Sequence, residues 1–332
     1  MEDRNIALEL VRITETAALA SAKFMGRGDK NGADGAAVEG MRRAFENVNI
    51  RGEIVIGEGE LDEAPMLYIG EKVGTGYGNS FDIAVDPLDG TSLIAKGLPN
   101  AIAVIAMAKK GCMLKAPDTY MDKIIVGPKA KGAIDITRSV TENLLSVARA
   151  MGKPVEELTA TLLDRERHLE IMNEIREAGA RIKVFNEGDI AGGIATCMKD
   201  SGVDILFGKG GAPEGVITAA AVKILGGDMQ ARLCPMSEQE VMRCREMGLC
   251  DEEVNKVLTM EDLVTGDDVY FAATGVTSGD FLKGVIYLGG NRAATQSVVM
   301  RASTGTIRFI DADHRLDKNQ ILIDLMKKYG NR

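Results

Sequence analysis

Histidine is almost absent: only His168 and His314 occur in 332 residues. Two imidazoles are too few for a three-histidine metal centre or for most imidazole-based catalysis, so chemistry here must lean on carboxylates. Oxygen-only ligand sets favour Mg²⁺ or Mn²⁺ over zinc or copper. The five cysteines, Cys112, Cys197, Cys234, Cys244 and Cys250, are odd in number and lack CxxC spacing, which argues against a disulfide framework and a zinc site. No apolar run reaches membrane-spanning length, and the charged, helix-like start MEDRNIALELVRITE lacks the pattern of an export signal. A cytoplasmic protein with no membrane partner is the expectation. Positive charge is also in deficit, and a net charge of −9 disfavours nucleic acid as a partner. An acidic protein can still handle phosphate esters where metal ions invert the local field. Pro/Ser-rich tracts and solenoid repeats are missing too.

What is present is a chain with 45% hydrophobic residues and 38 glycines, enough for a large core and many tight strand-to-helix turns. Leu10, Ile13, Ala17, Ala20 and Phe24 recur at helical spacing, facing a core or a partner. A loop, GRGDKNG, precedes a second helix marked by Ala37, Met41, Ala44, Phe45 and Val48, with Asp34 in its first turn on the same face. Residues 53–57 and 101–108 read as strands, and Ser139 to Gly152 as a helix with a glycine stop. After Lys153-Pro154, TATLL at 159–163, RIKVF at 181–185 and VDILF at 203–207 alternate with helices, which predicts a parallel sheet. The C-terminal third reads as further strands. The division expected is an N-terminal α+β domain over 1–155 with most of the candidate metal ligands, and a C-terminal α/β domain over 156–332 with the substrate-phosphate contacts.

Chemistry concentrates in DIAVDPLDGTS at 82–92. A half-buried strand would deliver Asp86 at its C-terminal end, where open α/β sheets bind ligands, and Pro87 would end the ladder. Gly90 permits a tight turn, while Thr91 and Ser92 are natural helix N-caps. The bland reading is an acidic turn that caps a helix. Asp34, Glu58, Asp86, Asp89 and Glu214 are each weak candidates alone, but each lies at a helix start or just after an apolar strand, where distant segments converge. Asp34 and Glu214 could instead complement helix dipoles. Arg165 and Arg167 could grip a phosphate remote from bond cleavage, or could pair with Asp164, Glu166 and Glu170. Tyr120 could hydrogen-bond a phosphate or be a half-buried aromatic. Lys30 can reach Asp34 or offer a point charge to phosphate, and His168 reads as a helix-cap or core histidine. The glycine-rich GTGYG at 74–78 and GKGGAPEG at 208–215 fit no nucleotide-binding fingerprint; the first reads as a hairpin or surface loop.

Together, GRGDKNGAD at 26–34, VIGEGELDEAPMLYIGE at 55–71, DIAVDPLDGT at 82–91, APDTYM at 116–121, LDRERH at 163–168, EGDIA at 187–191 and GAPEGVITAAA at 211–221 resemble the lithium-sensitive, metal-dependent sugar phosphatases, specifically the bacterial class II fructose-1,6-bisphosphatases. The resemblance implies an α/β fold of the layered αβαβα type, two sheets with interleaved helix layers. It implies metal ligation by Asp34, Glu58, Asp86, Asp89 and Glu214, with Mg²⁺ or Mn²⁺ as cofactor. Asp89 stands where many class II relatives carry the longer Glu. Substrate contacts are implied for Asp89, Gly90, Thr91, Tyr120, Arg165, Glu166, Arg167, Glu187, Gly188, Asp189 and Gly211, and direct roles in catalysis for Thr91, Asp86, Glu58 and Lys30. The reaction implied is hydrolysis of the 1-phosphate of fructose 1,6-bisphosphate, in gluconeogenesis or carbon fixation, by a homodimer or homotetramer. A dual fructose-1,6-/sedoheptulose-1,7-bisphosphatase, an inositol monophosphatase-like enzyme and a non-catalytic metabolite sensor are the alternatives.

Overall fold

The computed structural model describes residues 5–59, 66–246 and 254–329. Cys250 and the ELDEAP part of the second family segment fall outside them. The chain forms α1 (Ile6–Ser21), α2 (Lys30–Phe45), β1 (Arg51–Ile56), β2 (Lys72–Val73), β3 (Ser80–Asp89), α3 (Thr91–Lys96) and β4 (Ile102–Lys109). There follow β5 (Tyr120–Val126), α4 (Val140–Met151), β6 (Thr159–Leu163), α5 (Leu169–Glu177), β7 (Arg181–Phe185), α6 (Asp189–Ala195), β8 (Ile205–Gly211), α7 (Ala212–Leu225), β9 (Asp228–Cys234), α8 (Glu238–Glu246), β10 (Leu258–Thr259) and α9 (Met260–Leu263). Last come β11 (Val269–Gly275), β12 (Ile286–Gly289), β13 (Arg292–Arg301), β14 (Thr306–Arg315) and α10 (Gln320–Tyr329). Two mixed sheets, each with its own helices, fit the layered α/β sandwich expected.

The chain divides into two units, one made of residues 1–112 and 267–332, the other of residues 113–266. A boundary near residue 155 would fall inside the second unit, because β11 pairs with β4 along its whole length and draws the C-terminal strands back to the first sheet. That sheet has eight strands, in the order β12-β13-β11-β4-β3-β1-β2, with β14 on β13. β1 and β3 run parallel, and β1 ends with Ile56 opposite Ala84 of β3. Leu10, Ile13 and Ala17 of α1 and Ala37, Met41 and Phe45 of α2 pack in one core with Ile83, Val85, Ile105 and Tyr270 of the sheet. The apolar face of α1 is thus covered by its own chain and carries no argument for a partner subunit.

The second unit holds a six-stranded sheet in the order β10-β9-β5-β8-β6-β7. β6, β7 and β8 are mutually parallel as expected, while β5 and β9 join antiparallel. Helix α4 starts at Ser139, whose hydroxyl and Glu142 form a capping box, and stops at Gly152 in the left-handed region.

Four local expectations are corrected. GRGDKNG is not all loop: Asp29 caps α2 by accepting from Gly32 N–H at 2.8 Å, so the helix starts at Lys30 and Asp34 sits in its second turn. Pro87 does not end β3. Asp86 pairs with Val104 and Asp89 with Ile102, so the strand bulges through Pro87-Leu88, where a ladder N–H is missing, and then continues. The N-cap of α3 is Gly90 at φ +93°, not Thr91 or Ser92. The strand expected at 203–207 is longer than VDILF at its C-terminal end, since β8 runs through GKGG to Gly211 in register with β5. GTGYG follows directly on β2 and belongs to no regular element, and its three glycines all have positive φ.

Candidate active site

The bulge in β3 sets the geometry of the acidic residues of the first unit. Val104 and Ile102 are two apart on β4 and share a face, so their partners Asp86 and Asp89, three apart in sequence, share a face as well. In an unbroken strand they would point to opposite sides. Asp86 Oδ1 accepts from Leu88 N–H at 3.0 Å, which stabilises the bulge, and Asp89 is buried. β1 ends with Ile56 opposite Ala84, and Glu58 follows two residues past that end, where its N–H donates to Leu67 O at 3.1 Å. Asp34 lies on α2 near the point where Lys30 Nζ bonds Ser92 Oγ at the start of α3. Lys30 therefore serves α3 and not the Asp34 carboxylate. Burial alone pushes the Asp34 carboxyl up, and in the second turn it has left the reach of the helix dipole.

The remaining residues belong to the second unit. Between β6 and α5, His168 is 1% exposed; its Nδ1 donates to Leu163 O at 2.8 Å and its Nε2 accepts from Lys209 N–H at 2.9 Å. That pair of bonds makes His168 a core histidine pinning the arginine turn to β8, and burial keeps it neutral by lowering its pKa. Gly208, at φ +143°, leaves room for the ring, which a Cβ would meet at 3.1 Å. Arg167 donates through Nε and Nη2 to Lys209 O at 3.1 and 2.8 Å, and Arg165 through Nη1 to Asp164 O at 2.9 Å. Among the described residues neither guanidinium pairs with a carboxylate, so the ion-pair reading with Asp164, Glu166 and Glu170 does not hold. Tyr120, 40% exposed, is no half-buried core aromatic: it opens β5 with the Arg167 guanidinium 5.1 Å from its ring centre.

Glu187 and Gly188 lead into α6, with Gly188 as N-cap in the left-handed region and Asp189 as first residue. Asp189 accepts from Lys123 Nζ, and the same ammonium donates to Gly211 O at 3.0 Å. Glu214, in the first turn of α7, folds its carboxylate back over Gly211, where any Cβ would collide with it. Its Oε2 is out of solvent contact and has no hydrogen-bond partner among the described residues. Burial, and then the Asp189 charge, push the Glu214 carboxyl up, against the pull of Lys123. Lys123 was missed in the sequence, although it left a signal: a lysine stands at an inward position of YMDKIIV, between Met121 and Ile125.

Among the described residues no group of three or more His, Cys, Asp or Glu side chains is arranged to hold a metal ion by itself. The donor chemistry nonetheless suits a hard divalent cation: carboxylates throughout, and at Glu214 a buried oxygen that lacks the partner a lone anion needs.

The family model for bacterial fructose-1,6-bisphosphatase, glpX-encoded, matches residues 4–314. The chain is 51% identical over 328 residues to fructose-1,6-bisphosphatase 1 class 2 of Escherichia coli K12, covering 95% of this chain and 96% of that protein. Fructose-1,6-bisphosphatase class 2 of Escherichia coli O6:H1 and of Shigella flexneri match it with the same identity and coverage. With its doubled aspartates on a bulged strand and its arginine turn pinned to β8, the chain belongs to the bacterial, glpX-type class II fructose-1,6-bisphosphatase family.

Proposed function

We propose that this chain is a divalent-metal-dependent phosphatase of the lithium-sensitive superfamily, cytoplasmic and homo-oligomeric, which converts fructose 1,6-bisphosphate to fructose 6-phosphate and phosphate. The observation that carries the reading is the β3 bulge, which sets Asp86 and Asp89 on one face immediately before Thr91. Asp34, Glu58, Asp86, Asp89 and Glu214 would hold Mg²⁺ or Mn²⁺, which supplies charge neutralisation for the phosphate, a more acidic water and a stabilised leaving alkoxide.

The chain's own groups do the rest. The Thr91 hydroxyl, at the first position of α3, orients the attacking water and relays its proton towards a carboxylate. Lys30 offers its ammonium beside Ser92 as a point charge for phosphate oxygens. Asp89-Gly90-Thr91 supplies the close backbone approach. Tyr120, Arg165, Glu166 and Arg167 hold the distal phosphate, with Arg165 and Arg167 hydrogen-bonded among the described residues to carbonyls and not to carboxylates, which keeps their charge for an anion. Glu187, Gly188, Asp189 and Gly211 face the sugar.

Phosphate release tests this directly. With Mg²⁺ or Mn²⁺, fructose 1,6-bisphosphate should be hydrolysed faster than sedoheptulose 1,7-bisphosphate, and inositol monophosphate scarcely at all; lithium should inhibit. Thr91→Ala should lower kcat by about 100-fold or more, whereas Arg165→Ala should raise KM more than it lowers kcat. No metal-dependent release from fructose 1,6-bisphosphate would overturn the reading.

A further inference from the structure

Lys123 lies at the middle of β5 on the face shared with Met121 and Ile125, at 4% exposure. A buried ammonium persists only where anions or carbonyls surround it. Here three elements supply them: Asp189 from the first position of α6, Gly211 O at 3.0 Å from the end of β8, and the Glu214 charge from the first turn of α7. The packing is close. A Cβ at Gly210 would meet Lys123 Nζ at 2.9 Å and collide with Asp189, and one at Gly215 would meet Lys123 Cδ at 3.3 Å. Glycine at both positions leaves room for Lys123 together with its neighbours, Asp189 at Gly210 and Met121 at Gly215.

We propose that Lys123 is a positioning residue of the reaction: its ammonium ties the Asp189 carboxylate and the Gly211 carbonyl together, fixing the sugar-facing edge of the site and the segment that carries Glu214. This rests on the function proposed above for Asp189, Gly211 and Glu214. A purely stabilising role is the weaker account, because a buried ion pair is often replaced by apolar groups of similar volume without loss of stability. A single cation shared by two sugar-facing groups and a candidate ligand instead sets relative positions, and its loss should appear in substrate binding before it appears in turnover.

The experiment compares Lys123→Met, Asp189→Asn and the double variant in the full-length protein. KM and kcat for fructose 1,6-bisphosphate are measured at saturating Mn²⁺, Mn²⁺ binding by electron paramagnetic resonance without substrate, and thermal unfolding alongside. Lys123→Met should raise KM about 30-fold or more while kcat stays within about threefold, and should weaken Mn²⁺ binding. In the double variant KM should rise by clearly less than the product of the two single effects, since both changes break one link. Gly210→Ala, which displaces Asp189 while keeping both charges, should reproduce the rise in KM and decides the matter if Lys123→Met does not unfold cooperatively. An unchanged KM in a folded Lys123→Met or in Gly210→Ala, or KM effects that multiply in the double variant, overturns the proposal. Wild-type protein that releases no phosphate would instead sink the underlying active-site reading.

Discussion

Glu15 keeps a carboxyl inside the first unit, and burial pushes its pKa up to about 7 from an ordinary 4.5, with the Thr295 hydrogen bond and the Arg12 charge only partly opposing. Thr295 Oγ1 donates to its Oε1 at 3.4 Å, and His314 Nε2 stands 3.8 Å away, itself held towards the neutral form by burial. The raised value means the folded protein binds a proton more tightly than the unfolded chain. The stabilisation is full below pH 4.5 and is lost as pH rises through about 7. Glu15→Gln, which is permanently neutral, should match wild type in calorimetry at pH 4.5 and unfold about 3 °C or more higher at pH 8.5. An equal difference at both pH values would contradict that assignment. Some residues were legible from type and position alone: His168 is the core histidine expected. Tyr120 was not, because the Arg167 guanidinium beside its ring comes from a separate segment.

Elements bounded by local chemistry were readable in the sequence. α4 carries its own capping box and glycine stop, and β6 and β7 coincide with TATLL and RIKVF. Where tertiary contacts decide, reading failed. Pro87 reads as a strand end until β4 supplies the register that turns it into a bulge, and the strand at VDILF reads as ending at 207 until β5 pairs with GKGG. The glycines of β8 are there for their neighbours: each leaves space for a side chain from elsewhere, namely His168, Asp189 with Lys123, and Glu214. Gly211 gives a clean test, since its φ of −62° suits any residue and the Glu214 carboxylate is what a Cβ would meet first. Gly211→Ala should raise the Mn²⁺ concentration for half-activation by about 10-fold, in line with losing one well-placed metal ligand contact, while the unfolding temperature stays put. An unchanged activation curve would separate Glu214 from metal binding.

At the scale of the whole molecule, the first unit is discontinuous and the second is an uninterrupted stretch of chain. Nothing local marks this in the sequence, because β11 has the same apolar character whichever strand it pairs with. The second unit owns a six-stranded sheet and a core in which Leu144 and Val147 of α4 and Ile175 of α5 meet Leu162 and Ile205. A fragment of residues 113–266 should therefore show a cooperative thermal transition by circular dichroism, while a chain cut after Gly266 should aggregate; a fragment without a transition would refute its independence.

The same insertion orders events on the ribosome. A nascent chain has made all of the second unit by Gly266, yet β4 still lacks β11, its neighbour in the finished sheet. Until the last strands emerge, the apolar stretch AIAVIAMA leaves one backbone edge open, the kind of surface on which newly made chains adhere to each other. Slow translation beyond residue 266 would prolong that exposure, so the protein's vulnerable interval is written into the order in which its strands are made.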